Sequence, residues 1–587
     1  MDLSRPSARP AAPWAASTIW AWLLFALASA AQQPGAAQLP PAATAGGAQP
    51  LLDSPGVPQF PPEDPFEIPP LIERPLGLDE GPRVQVGGFR MLGASSRVDH
   101  GISLADIESL LARHHEAQPP EGYTVNQLQA VADDVTLYYR SRGLILAQAF
   151  VPAQDVYDGI VALRLIEGSL GGIAVEGNAL YDADVVRLPF TRLLGAPIDE
   201  TSIEEALLTL QEFPGLTVFG TFREGARLGE TELLVRVREE NKATFVPRLD
   251  NYGSEFTGVG RVAFQFDVNN PFGSADRISG YLLKTVDPAN GTYGGLDYSR
   301  RVGERARSSL GVGISRNTFD VTDASTDFDL GIRGVVDQVD LYWQQSYARQ
   351  RTFRAAGTLS AALEDAVSRQ PGSDPEDELR TVSYTYDYYS VGRRRRGMNL
   401  GWVRMTAGDN GGDRTSRVGG SGSTAAGSFG KLAFSYQRLQ RFGDHHALLL
   451  RLDGQRSDDL LASLEQYAIG GPANVRAYPI SEALVDTGGS ASLEWIVDAP
   501  GFADRPLGET TWGEVFQLSF YADYAGGEVN DPFPLQDRNV TFRGYGVGMQ
   551  FRVAGRLSVR VDVATPDGAE PSNGRDPQTY VSFDMTF

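Results

Sequence analysis

The chain has 587 residues, no cysteine and a formal net charge of -22. Lack of cysteine removes disulfides, thiol catalysis and cysteine metal sites, and the acidic balance argues against a nucleic-acid partner. Its 65 glycines, 10% aromatic and 42% hydrophobic residues suit strands, turns and interfacial side chains rather than long greasy runs.

Residues 1–30 carry Arg5 and Arg9, an apolar stretch from Ile19 to Leu27, and then Ala28-Ser29-Ala30. Charge, a short apolar core and small residues in that order predict a cleaved export signal; the stretch is too short to span a bilayer. No other segment approaches eighteen consecutive apolar residues, which excludes a helical membrane protein. Residues 31–82 hold Pro40-Pro41, Pro61-Pro62, Pro65, Pro69-Pro70 and Pro75. Proline removes backbone donors and favours extended chain, so a linker is expected, with the alternative that apolar beads such as Leu51-Leu52, Phe60 and Phe66 dock elsewhere.

Residues 83–241 read as soluble α+β chain. Ser103 is placed to cap a helix with Ile107, Leu110, Leu111 and His114 on one face, and Thr124 to cap a second with Leu128, Val131, Val135 and Tyr138. Strands follow at Ile145–Val151 and Ile160–Ile166. The order then repeats: Ile173 to Val175 extended, helices near Asp182 to Leu194 and Ser202 to Phe213, strands near Leu216 to Phe222 and Glu232 to Val237. Two αβ units in tandem are expected, over 83–169 and 170–241.

From residue 242 the period changes to two. Phe516, Leu518, Phe520, Ala522 and Tyr524 alternate with Gln517, Ser519, Tyr521 and Asp523; Leu557, Val559, Val561 and Val563 alternate with Ser558, Arg560 and Asp562. Ala491, Leu493, Trp495 and Val497 interleave with Ser492, Glu494 and Ile496. The end of the chain alternates from Tyr580 to the terminal Phe587. A soluble sandwich gives the same alternation, but joined to an export signal it predicts an outer-membrane β-barrel over 242–587. About 345 residues, at ~10 per strand plus turns, make about sixteen strands. Polar stretches Ser368 to Leu379 and Gly408 to Gly427 read as extracellular loops, and Phe587 as the terminal assembly signal.

Several short motifs carry a family resemblance. Val151-Pro152-Ala153-Gln154, Leu165-Ile166-Glu167-Gly168 and Gly177-Asn178 resemble the polypeptide-transport-associated (POTRA) repeats of two-partner secretion transporters, of the haemolysin and haemagglutinin secretion-activation type. Asp250-Asn251-Tyr252-Gly253-Ser254 and Asn269-Asn270-Pro271-Phe272-Gly273 resemble the first hairpin of that family's barrel. Gly470-Gly471 followed by Val475-Arg476-Ala477-Tyr478 is similar to the tetrad at the tip of a loop that folds into the lumen; the superfamily's frequent third residue is glycine, and Ala477 departs from it. The resemblance implies that Arg476 pairs with an aspartate following an aromatic, and Tyr521-Ala522-Asp523 fits.

The same resemblance implies a cell outer-membrane transporter with its POTRA domains in the periplasm. Its partners would be a secreted unfolded adhesin, haemolysin or related exoprotein, outer-membrane lipid, and the barrel-assembly machinery during biogenesis. Neither catalytic, cofactor nor metal residues are expected. The histidines are His100, His114, His115, His445 and His446, and His445-His446 beside Asp444 read as a solvated turn. An assembly factor would use the same parts to insert barrels, and a passive porin would use only the barrel.

Overall fold

A computed structural model describes residues 40–52, 82–323, 328–370, 374–392, 396–412, 415–533, 536–553 and 556–587. The export signal of residues 1–30 lies outside them, as does most of the proline-rich segment.

The first repeat runs β1 (Gly88–Leu92), α1 (Leu104–Glu116), α2 (Val125–Arg140), β2 (Gln148–Phe150) and β3 (Ile160–Ile166). Ser103 caps α1 by accepting from the Asp106 amide at 3.1 Å, and Thr124 and Gln127 close a reciprocal capping box on α2. Both helices lay their apolar stripes, including Ile107, Leu111, Val131 and Val135, on a sheet ordered β1-β3-β2. The strand expected over Ile145–Val151 is shorter than its apolar run. Leu144, Ile145 and Ala147 are buried in the turn leaving α2, so their apolar character serves packing and not pairing. The sequence offers little sign of the opening strand β1: Phe89 and Met91 face the core and Arg90 and Leu92 face out, an alternation too short to stand out in Gly-Phe-Arg-Met-Leu.

The second repeat has the same course: β4 (Ser169–Glu176), α3 (Ala183–Arg187) continued by a 3-10 turn, α4 (Glu200–Leu210), β5 (Leu216–Glu224) and β6 (Glu230–Glu240), in sheet order β4-β6-β5. Its core holds Phe190, Leu207, Leu210, Phe213 and Val235. Acidic residues of α4 and the turn after it reach the barrel: Glu204 meets Arg351 at 3.1 Å, Glu212 meets Arg301 at 2.8 Å, and Glu205 meets Arg307.

The barrel is closed and antiparallel, with sixteen strands. They are β7 (Ala243–Asp250), β8 (Gly260–Asn269), β9 (Asp276–Val286), β10 (Gly291–Val302), β11 (Ser308–Asp323), β12 (Phe328–Arg349), β13 (Phe353–Arg369), β14 (Glu376–Gly392), β15 (Gly397–Asn410), β16 (Gly427–Arg441) and β17 (His446–Arg456), then β20 (Thr487–Asp498), β23 (Phe516–Glu528), β24 (Asn539–Val553), β25 (Leu557–Pro566) and β26 (Gln578–Met585). Two small hairpins interrupt this series, β18 (Tyr467–Ile469) with β19 (Ala483–Val485) and β21 (Pro506–Leu507) with β22 (Thr510–Thr511). Closure pairs β26 with β7, and Phe587 exchanges backbone hydrogen bonds with Phe245 at 2.9 and 3.2 Å. Apolar side chains such as Ile314, Leu341, Met405 and Tyr545 face outward, and polar ones such as Arg451, Glu494 and Gln550 face the lumen.

Because β7 follows directly on the second repeat, its first residues lie on the periplasmic side. The β7–β8, β15–β16, β17–β20 and β23–β24 connections are therefore extracellular. Asp276 ties the periplasmic turn after β8, accepting from the Phe272 and Ser274 amides at 3.2 and 3.0 Å; Asn270 of that turn donates to Leu180 of the second repeat at 2.9 Å. Among the described residues, Gly408 to Gly427 is outside strands except at its two ends, whereas Ser368–Arg369 and Glu376–Leu379 of the other stretch belong to β13 and β14. There β13 and β14 stay paired as far as Val367 and Glu376, so Glu376, Asp377 and Glu378 project from strand while Asp374 precedes it.

Candidate functional site

The β17–β20 connection turns back into the lumen. Gly470 and Gly471 open its inner turn at φ of 109° and 90°, the left-handed region that glycine enters without cost. A Cβ on Gly470 would stand 2.1 Å from the Pro479 carbonyl oxygen. Asn474 pins the turn, its Oδ1 accepting from the Gly470 and Val475 amides at 2.7 and 2.8 Å and its Nδ2 donating to Ala468 O at 2.9 Å. Val475, Ala477 and Tyr478 are fully buried against Val485, Tyr521 and Ala525. Tyr478 donates to Ala569 O at 2.8 Å, accepts on its own carbonyl from Tyr580 at 2.6 Å, and meets Phe542 edge-on.

Arg476 sits at the tip with its guanidinium against the wall. Nε and Nη2 donate to the two oxygens of Asp523 at 2.8 Å each, and its backbone amide donates to the same carboxylate at 3.1 Å. The planar fork matches the carboxylate, which makes the contact directional as well as strong. The guanidinium carbon lies 3.2 Å from the centre of the Tyr521 ring, so Tyr521 forms its floor. Nη2 also donates to Ser492 at 3.0 Å, and Nη1 to Glu494 at 3.1 Å.

Glu494 joins this contact to a wider buried network. Arg451 donates to it at 2.9 Å and Arg560 at 3.2 Å, while Arg560 grips Asp562 at 2.6 Å and Arg476 lies 3.6 Å from Asp562. Three arginines thus balance three carboxylates, Glu494, Asp523 and Asp562, all nearly inaccessible to solvent. Strand alternation alone puts Glu494, Arg560 and Asp562 on the inner face; no sequence signal showed that they would meet Arg476. Inward glycines of β24 clear the space, since a Cβ at Gly546 would fall 2.7 Å from the Tyr521 ring.

A second element shares the lumen. Residues 40–52 enter from the proline-rich segment as a 3-10 turn (Pro41–Ala43) with Ala42, Ala43 and Ala45 buried. Ser481 of the inward loop donates to Gly47 O at 3.1 Å, Asn317 to Ala48 O at 3.0 Å, and Arg261 to Leu51 O at 3.0 Å. Sequence reasoning took this stretch for linker, the bead Leu51-Leu52 being its one hint of docking. Beside it remains a cavity of about 810 Å³ lined by Gln49, Asp340, Glu364, Lys431 and Glu465 among others.

The histidines are scattered. His114 meets Asp134 at 2.9 Å on the first repeat, His445 meets Asp504 at 3.2 Å, and His446 stacks against Phe442 and Trp495. Among the described residues no group of three or more His, Cys, Asp or Glu side chains is arranged to hold a metal ion.

Two repeats of this topology ahead of a closed barrel with an inward loop define an outer-membrane protein of the POTRA-plus-barrel class, with the repeats in the periplasm. The chain belongs to the family of haemolysin secretion/activation proteins ShlB/FhaC/HecB, which it matches over residues 229–550, and residues 98–168 match the ShlB-type POTRA domain. It is a transporter of the two-partner secretion class, which works with a secreted exoprotein. Among its relatives is the heme/hemopexin transporter HuxB of Haemophilus influenzae, 22% identical over 483 residues, covering 79% of this chain and 81% of the relative. The outer membrane transporter CdiB of Escherichia coli is 27% identical over 212 residues, 36% of this chain and 34% of that one. In fold, the chain is similar to the solved CdiB from Escherichia coli (TM-score 0.64, 20% identity, 87% and 91% covered) and CdiB from Acinetobacter baumannii (0.59, 15%, 90% and 95%). BamA from Haemophilus ducreyi lacking POTRA domains 1-3 gives 0.52 at 12% identity, covering 86% of this chain and all of that one.

Proposed function

We propose that the two periplasmic repeats capture an exported, unfolded exoprotein, and that it crosses the outer membrane through the barrel once the inward loop moves. The observation that carries this reading is the bidentate contact of Arg476 with Asp523, which fixes the loop tip to the inner wall, where in this reading it closes the passage. In this reading Val475, Ala477 and Tyr478 seat the tip, Tyr521 and Asp523 receive it, and residues 40–52 must leave the lumen with it. The repeats offer strand edges at β2 and β5, on which extended chain can add by β-augmentation. With no ATP in the periplasm, folding of the cargo outside supplies direction. Outer-membrane lipid covers the outward apolar face, and the barrel-assembly machinery reads the terminal Phe587 strand.

The test compares proteins in the culture supernatant of a strain carrying this gene with those of a deletion strain. One large secreted protein is expected to disappear and to return on complementation. If the supernatants match while outer-membrane barrels in general are depleted, the protein is instead an assembly factor.

A further inference from the structure

The extracellular mouth holds a second buried ion pair that shares no side chain with the Arg476 network. Arg417, in the β15–β16 loop, grips the carboxylate of Asp486, the residue just before β20 and so the foot of the inward loop; Nη2 and Oδ2 are 2.7 Å apart. The Asp486 side chain is 0% exposed and that of Arg417 15%. Each of the two also holds other loops. Arg417 donates to Leu461 O at 2.9 Å and to Asn530 O at 3.1 Å. Asp486 accepts from the Leu461 and Asn530 amides at 3.1 and 2.7 Å and from Gln466 Nε2 at 3.3 Å.

Asn530 extends the tie, its Nδ2 donating to Ser457 O at 3.0 Å and Asp459 O at 2.8 Å. Next to it Asp531 accepts from the Ser421 amide at 3.0 Å, the Ser421 hydroxyl at 2.6 Å and the Ser423 hydroxyl. Beneath, Leu461 and Ala462 pack on Leu379, Ala425 and Phe429. Three extracellular connections, β15–β16, β17–β20 and β23–β24, therefore converge on one carboxylate. A buried carboxylate satisfied in this way loses several charge-assisted hydrogen bonds at once if any of the three loops withdraws, so the loops hold or part together.

We propose that the Arg417–Asp486 pair is a second closure of the passage, at its extracellular mouth, and that cargo leaves only when the pair separates. The proposal rests on the secretion reading above. It assigns Arg417, Asp486 and Asn530 as positioning residues of the exit, distinct from Arg476 and Asp523 at the loop tip. Removing the pair frees the three loops while leaving the tip contact in place, so the exit opens more often without the passage being permanently clear.

The test uses the full-length protein in planar bilayers in potassium chloride and in cells. Arg417→Ala and Asp486→Asn are each expected to raise channel open probability at least about tenfold, since losing one partner of a largely buried ion pair costs more than a single tenfold step. Both variants should remain heat-modifiable on gels, which separates an opened mouth from a misfolded barrel. The chain has no cysteine of its own, so Arg417→Cys with Asp486→Cys is addressed alone by a short bis(methanethiosulfonate), each cysteine thiolate displacing methanesulfinate to form a reducible disulfide. Linked protein should stay closed and fail to release the gene-dependent supernatant protein, and reduction should restore release. Unchanged open probability in both single variants, or normal release from the linked protein, overturns the proposal. The conductance measurement needs no cargo, so it stands or falls separately from the secretion reading.

Discussion

Ala477 and Gly544 are matched in shape: a Cβ added at Gly544 would stand 2.3 Å from the Cβ of Ala477. Gly544 lies opposite Asp523 in the β23–β24 register, so the bare backbone there lets the loop tip come close enough for Arg476 to reach its carboxylate. The alanine that departs from the superfamily's frequent glycine is thus accommodated on the wall.

Gly544→Ala should lift the tip from its seat. Overpacking a fitted contact costs ~1–3 kcal/mol, enough to shift a closed loop toward open by roughly five- to a hundredfold. Raised channel conductance and reduced secretion are expected, and Ala477→Gly in the same protein should recover both. A Gly544→Ala protein with wild-type conductance would show that the tip does not depend on this fit.

Deleting Phe587 removes two backbone hydrogen bonds to Phe245 at the seam where β26 meets β7, each worth ~1 kcal/mol net. The seam is short, with Ser582, Phe583 and Asp584 paired to Asp250, Leu249 and Arg248 and the Arg248–Asp584 ion pair beside them. The amount of heat-modifiable protein in the outer membrane should fall, with export across the inner membrane unaffected. Equal amounts of assembled barrel with and without Phe587 would remove its role as an assembly signal.

Removing residues 83–240 should abolish secretion and leave an inserted barrel. The barrel strands pair only among themselves, and the arginines that lose Glu204, Glu205 and Glu212 become exposed to water, where an unpaired charge costs little. Normal secretion by this truncation would mean that cargo is captured elsewhere.

Much of this architecture was readable because a strand repeats every two residues and a helix every 3.6. Tyr521, Asp523, Glu494, Arg560 and Asp562 fall on the inner face by counting alone, and Ser103 and Thr124 announce their helices. What counting leaves open is which inner residues face each other across the lumen. That depends on the stagger of sixteen strands and on a loop that returns inside, so the meeting of Arg451, Arg476 and Arg560 around Glu494 was invisible. Residues 40–52 were missed for another reason. Prolines, alanines and glycines have no period, yet small side chains are what a filled lumen admits.

The network makes the two partners of the loop contact unequal. Asp523→Ala leaves Arg476 with Glu494 at 3.1 Å and Asp562 at 3.6 Å, so the guanidinium keeps carboxylate partners. Arg476→Ala leaves the Asp523 carboxylate buried with the residue 476 backbone amide in place of a guanidinium, and an uncompensated buried charge costs ~3–5 kcal/mol. Arg476→Ala should therefore impair secretion and raise basal conductance more than Asp523→Ala. The double variant should be no worse than Arg476→Ala, because the shared interaction is lost only once and the stranded carboxylate is gone. Arg476→Lys should give an intermediate defect, since an ammonium keeps the charge but not the fork. Secretion and single-channel conductance read on wild type, both single variants and the double variant decide it. Additive defects, or an Arg476→Ala protein that behaves as wild type, would take the pairing out of the mechanism.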